Sequence, residues 1–295
     1  MPRLNTTPIT QRDIKDYLSD AGDDFRLELE VYNTCKKFNF QVSHGGTYQD
    51  PVTKKTRQYD LRASRMREHD RFQMQLAIEC KCLKTYFPLL VYQIPKAENE
   101  DYHEIVFSYK PLDTSAHIMP TAKNIRFTGR YSHYRNIEFI GKSTVQVGRT
   151  EQKKELTGDD SEVFDKWSQA LSSAEDLISE SANFSDKYNA RWFFTGIVPM
   201  LIVPDDTLWT VNFSEAGAQM GVPKEADETL IYVGKEYWRP GGISYIISYL
   251  HVYTLQAFKN FAGSFPSEDN PNPEIWDEFF PYDKIRNLKS SPQPS

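Results

Sequence analysis

Glu79-Cys80-Lys81 puts a carboxylate and an ammonium one residue apart in the otherwise apolar run 76–83, and an isolated aspartate, Asp60, stands upstream. With 73–83 as a strand, side chains alternate between its two faces. Glu79 and Lys81 then share one face, while Ile78, Cys80 and Cys82 point into a core. Charge on such a strand is costly unless it is paired or bound to a metal. Two carboxylates able to hold a hard divalent cation, with a lysine beside them, are the minimum apparatus for metal-assisted hydrolysis of a phosphodiester. The competing reading is a cross-strand ion pair on a solvated sheet face.

The elements that must position these groups are legible around them. Asp23 or Asp24 is suited to cap a helix running to about Phe38, with Leu27, Val31, Cys35 and Phe38 as its buried stripe. Phe40-Gln41-Val42 reads as a short strand, followed by a turn at His44-Gly45-Gly46. Residues 47–57 form an exposed basic loop, and Arg57–Ala63 is a strand carrying Asp60. Residues 64–72 are a charged turn leading into the strand with Glu79. A hairpin of these two strands brings Asp60 and Glu79 within reach of one cation, because neighbouring strands lie about 5 Å apart.

This order of helix, strand, loop, strand with Asp and strand with Glu-x-Lys resembles the PD-(D/E)xK nuclease superfamily, over residues 24–84. Many members also carry a glutamate in the first helix, twelve residues before an aromatic that follows a glycine. Glu28 stands twelve residues before Phe40, and Glu30 lies about 200° around the helix from it. Two positions depart from the pattern: Tyr59 rather than proline precedes Asp60, and Asn39 replaces the glycine.

The resemblance implies an α/β fold with a restriction-endonuclease-like core, its central mixed β-sheet flanked by helices, plus a large insertion and a C-terminal elaboration. It implies Mg²⁺, with Mn²⁺ able to substitute, held by Asp60, Glu79, the backbone carbonyl of Cys80 and Glu28. Lys81 would orient or help deprotonate a water, or stabilise charge on the phosphorane, and the product would carry a 5′-phosphate. The implied function is a Mg²⁺-dependent DNA endonuclease of restriction or defence type. An RNA-directed nuclease, or a non-catalytic nucleic-acid-binding or scaffold protein of the same fold, are the alternatives.

A net charge of −6 argues against a protein coated in positive charge, but local patches decide phosphate binding. Basic residues crowd the motif, and Lys54, Lys55, Arg57, Arg62, Arg65 and Lys84 are the expected nucleic-acid contacts. The acidic surplus lies in 151–180 and 265–278. Cys35, Cys80 and Cys82 are too few and too close for a disulfide framework or zinc set, which suits a reducing cytoplasm. The longest apolar run, Ile197 to Val203, is broken by Pro199 and too short to span a membrane. The first residues lack the apolar stretch of a secretory signal. The six histidines show no metal-ligand spacing.

The remaining chain divides into an arm at 1–22, a nuclease domain at 23–262 and a partly ordered tail at 263–295, docked by Trp276, Phe279 and Phe280. Within the domain, a strand is expected at 89–94, a helix at 96–107 and irregular chain at 110–135. A strand follows at 137–147, then a helix at 161–182. A hairpin pairs 192–203 with 208–213 around Pro204-Asp205-Asp206. A strand at 229–233 and a long aromatic helix at 243–261 complete the domain. The helix 161–182 and strand 192–203 would complete the core and leave 85–160 as the insertion. The later hairpin and helix extend the sheet or offer a homodimer surface. Gln93, Lys142 and Gln146 are accessory candidates.

Overall fold

The computed structural model describes residues 7–20, 24–50, 53–67, 71–110, 121–150, 155–159, 161–238, 244–265 and 274–290. The remaining parts of the expected arm, residues 68–70 of the charged turn expected at 64–72, residues 111–120 and the rest of the tail lie outside the described residues; residues 64–67 and 72 of that turn are strand instead.

In chain order the elements are α1 (Gln11–Asp20), α2 (Asp24–Lys37), β1 (Gln41–His44), β2 (Thr47–Gln49), β3 (Thr56–Gln58), β4 (Leu61–Arg67) and β5 (Phe72–Cys80). Then come β6 (Leu89–Pro95), β7 (Tyr102–Tyr109), β8 (Thr121–Thr128), β9 (Phe139–Arg149), β10 (Leu156–Asp159), α3 (Ser161–Ser181) and α4 (Phe184–Lys187). The last third holds β11 (Trp192–Val203), β12 (Leu208–Phe213), β13 (Gln219–Glu225), β14 (Glu228–Trp238), β15 (Ser244–Thr254), α5 (Leu255–Gly263), α6 (Glu274–Phe279) and α7 (Tyr282–Ser290). Among the described residues thirteen strands form one mixed sheet with helices against it, and β2 and β3 form a separate ribbon. No described helix is long and apolar enough to cross a membrane.

The motif region folds much as its periodicity dictates. α2 buries Leu27, Val31 and Cys35. It ends with Asn39 in the left-handed region (φ 57°), where the Asn39 N–H donates to Lys36 (3.1 Å) and the Phe40 N–H to Cys35 (2.9 Å). This pair of bonds closes a helix C-terminus on a left-handed residue, and asparagine is among the few side chains that tolerate it. The departure from glycine at position 39 is therefore conformationally conservative.

β4 runs antiparallel to β5, with Leu61 opposite Ile78. The expected strand Arg57–Ala63 is broken into β3 and β4, and Asp60 sits in the break. The strand bearing Glu79 ends at Cys80 rather than Leu83. Lys81 thus lies past the last strand residue, where period-two alternation no longer sets its direction.

All nine residues of β5 are buried, because both of its faces are covered. Met74, Leu76, Ile78 and Cys80 pack with Leu27, Val31 and Cys35 of α2. Ala77, on the other face, packs with Leu171, Ala174, Leu177 and Ile178 of α3 and with Ile197 of β11. β11 lies parallel to β5, from Phe194 beside Phe72 to Ile202 beside Cys80, and α3 crosses over both strands.

Elsewhere the residue types mislead. β11 and β12 do not form the expected hairpin: β11 joins β5, β15 and β7, whereas β12 joins β6 and β13. A strand buried on both faces, as β11 is, belongs at a sheet centre with parallel neighbours. The expected helix 96–107 contains strand β7, and the expected helix 243–261 is strand β15 followed by α5. Their Tyr, Ile, Val and Phe content favours pleated backbone. The segment 85–160 supplies β6 to β10, all belonging to the same sheet.

The chain's end does dock. Trp276, Phe279 and Phe280 are buried, and Phe280 stacks on Phe72 with ring centroids 4.8 Å apart. Gly196 makes room for this ring, since a Cβ there would lie 3.3 Å from Phe280 Cζ. Phe280→Ala is expected to cost about 3–5 kcal/mol in chemical denaturation. A cost below about 1 kcal/mol would show that the C-terminal segment is not part of the core.

Candidate functional site

The end of β5, the start of β4 and the N-terminal turns of α2 and α3 converge on one spot. Asp60, in the break before β4, accepts a hydrogen bond from the Cys80 N–H on Oδ2 (2.8 Å). Its own N–H donates to Glu79 Oε1 (3.4 Å). The main chain thus fixes the two carboxylates side by side. Cys80, expected to offer its carbonyl, meets Asp60 through its amide, and its thiol is buried and pushed up by that burial and by the neighbouring carboxylates.

The third member is Lys166 of α3. Its Nζ lies 2.7 Å from Asp60 Oδ2 and 3.5 Å from Glu79 Oε2. Burial alone would depress this ammonium, but the charge and hydrogen bond of Asp60, with Glu79 and Asp24, hold it above the usual lysine range. The Glu79 carboxyl is pushed up to about 9, first by burial and then by Asp60, with Lys166 opposing.

Lys81, the lysine of the Glu-x-Lys motif, is drawn elsewhere. Its Nζ lies 2.7 Å from Glu162 Oε2 and 3.8 Å from Asp24 Oδ2. Glu162 and Lys166 are one turn apart on α3, so the helix presents an acid to Lys81 and a base to the acid pair. Asp24 also accepts from the Cys82 N–H (2.5 Å). Sequence periodicity carried one signal for Lys166: it falls between Val163 and Ala170 at the spacing of the buried stripe of α3.

Glu28 is bonded to His44, Oε2 to Nε2 at 2.7 Å, and the His44 ring packs against those of Phe25 and Tyr32. The Glu28 carboxylate is among those that push the Cys80 thiol up. Tyr48 of β2 was not anticipated. Its buried hydroxyl has no hydrogen-bond partner among the described residues and is pushed up to about 12 by burial and by the charge of Glu79.

Among the described residues no three His, Cys, Asp or Glu side chains gather as metal ligands. Glu28, expected among the ligands, is engaged by His44, and Asp60 and Glu79 are the carboxylates that meet. The Lys166 ammonium lies against both. With the Glu79 proton bound, Asp60 and Lys166 balance; loss of that proton leaves two carboxylates against the ammonium, an excess of charge on hard oxygens that fits Mg²⁺, which keeps several of its waters and needs few protein ligands.

The basic residues divide. Arg57 pairs with buried Asp50, and Arg62 is held by Asp176 (2.9 Å) and Ser173 (3.0 Å) of α3. Arg65 donates to the Phe38 carbonyl. These three arginines brace the fold, while Lys54 and Lys55 are exposed on the β2–β3 ribbon and Lys84 is half-buried. The accessory candidates are structural. Gln93 bonds to Thr229, Lys142 to Glu100 under the Tyr232 ring, and Gln146 to the Phe87 carbonyl. β9 is separated from β5 by three strands of the sheet. Compared with protein-family models, curated proteins and solved structures, the chain has no significant match.

Glu79 binds its proton more tightly in the native state than unfolded. Its contribution is therefore fully present at low pH and is lost as pH rises toward about 9. In EDTA, the urea midpoint of the wild type should fall more steeply between about pH 5 and pH 9 than that of Glu79→Gln. Parallel pH profiles for the two proteins would contradict this assignment.

Proposed function

We propose that the protein is a Mg²⁺-dependent nuclease that hydrolyses phosphodiester bonds in nucleic acid, with DNA as the first substrate to test. The observation that carries this reading is the contact of Asp60, Glu79 and Lys166. Two fixed carboxylates and one buried ammonium are an assembly for handling a phosphate and a water. Asp60 and Glu79 would hold the metal, which when bound makes a coordinated water acidic and neutralises phosphate charge.

The chain's own residues do the rest. The Cys80 amide and the backbone of Asp60 keep the carboxylates in place without reorganisation, which is the condition for electrostatic catalysis. Lys166, beside both carboxylates, would stabilise charge that develops on a non-bridging phosphate oxygen, the part first expected of Lys81. Glu28 and His44 hold the α2 side of the site. Exposed Lys54 and Lys55 supply non-specific attraction for the backbone of the substrate.

Supercoiled plasmid, linear duplex, single-stranded DNA and RNA should be incubated with the protein, with and without Mg²⁺. Cleavage is expected only with the metal, and Asp60→Asn and Lys166→Met should each lower its rate about a hundredfold or more. Lys81→Met should cost less than about tenfold, because its ammonium serves the surface acid Glu162. Absence of cleavage on all four substrates, or full activity in Asp60→Asn, would sink the reading. If Lys81→Met rather than Lys166→Met abolished activity, the roles of the two lysines would be reversed.

A further inference from the structure

One residue before Asp60 the surface opens into a recess of about 350 Å³, walled on one side by β1, β4 and β5 and on the other by α3. Tyr59, Arg62, Ser43, Ser64, Gln75 and Leu177 line it. Its volume is near the small end of ligand pockets, about 300 Å³ and upward, which suits one nucleoside rather than a length of duplex.

The chemistry of the walls is that of hydrogen bonding rather than charge. Arg62 is already neutralised by Asp176 at 2.9 Å and Glu180 at 3.8 Å, so the recess has no free cation for a phosphate. Ser64 and Gln75 are cross-strand neighbours, and Ser43 bonds to the Tyr59 hydroxyl at 3.0 Å. Gln75 is 94% buried, at 6% exposure, yet its amide oxygen has no hydrogen-bond partner among the described residues. An unmet buried acceptor is destabilising, and a ligand donor relieves it once the Gln75 amide turns toward the recess. Amide and hydroxyl groups beside a guanidinium plane are what an unstacked base meets when its edges are read.

We propose that this recess holds an unstacked base of the strand whose phosphodiester is presented to Asp60 and Glu79. Single-stranded or locally unpaired nucleic acid is then the substrate at the cut site. The proposal rests on the nuclease reading above and narrows its substrate class. Gln75 lies four residues before Glu79 on the same face of β5, about 13 Å along the strand, so the recess serves a base on the strand that reaches the acid pair. A base inside a duplex cannot enter without leaving its stack.

The test is binding of fluorescent oligomers of about twelve nucleotides in EDTA, as single-stranded DNA, single-stranded RNA and matched duplex. Ser64→Trp fills the recess from its floor and Gln41→Trp obstructs it from its exposed rim. Unfolding midpoints establish that each variant is folded. At least one single strand should bind about tenfold tighter than duplex, and a folded recess variant should lose most of that preference. Equal binding of duplex and single strand, or wild-type single-strand binding in both variants, overturns the proposal. Recess-dependent binding with no cleavage in Mg²⁺ keeps the base site and sinks the nuclease reading. Asp60-dependent cleavage with binding untouched in both variants does the reverse.

Discussion

The buried carboxyl of Glu79 is the constraint to which the surrounding structure answers. Taking a carboxylate from water costs several kcal/mol unless neighbours compensate. Here Asp60 helps hold the proton on the carboxyl, and the Lys166 ammonium lies 3.5 Å from it. Each partner must be delivered by a different element. The break between β3 and β4 delivers Asp60, and α3 delivers Lys166 only because its apolar stripe seats it on β5 and β11. The parallel neighbour β11 seals β5 and keeps water from the acid. Remove the cover and the site becomes an ordinary surface ion pair.

The legible parts of this arrangement were those with a strict period. α2, α3 and the strand with Glu79 bury one stripe or alternate cleanly, and their types follow from the residues alone. Asp60 and Glu79 could be paired because a short antiparallel connection leaves few other geometries. Lys166 could not be paired with them, since 87 residues separate it from Glu79 and helical periodicity does not say which sheet face a helix covers. Lys81 was misplaced because alternation holds only while the backbone stays pleated, and β5 stops at Cys80. The runs that form β7 and β15 read as helices because they lack alternation, although their residue types favour strands. A strand covered on both faces loses the polar alternation that would identify it.

Counting basic residues near the motif overstated the phosphate-binding surface. Arg57, Arg62 and Arg65 are close to Asp60 in sequence, but each is consumed by a carboxylate or carbonyl inside the fold. Their planar forks tie neighbouring segments together inside the fold. Arg62 also lies over the rings of Tyr48 and Tyr59, 5.1 and 4.5 Å from their centroids, and so joins the β2–β3 ribbon to α3. Charge density along a sequence therefore reports the fold's internal bracing as readily as its partners.

The placement of β11 also governs the order in which the molecule can be made. Residues 24–80 hold Glu28, Asp60 and Glu79, yet the strand that completes β5 arrives more than a hundred residues later. While the ribosome is still adding β6 to β10, the apolar edge of β5 has no neighbour on that side. Contacts so distant along the chain must wait for loop closure, which makes for slow folding and a longer exposure to association with other chains. The nascent N-terminal third thus keeps that edge open until α3 and β11 emerge, and the acid pair becomes buried only when that late closure is complete.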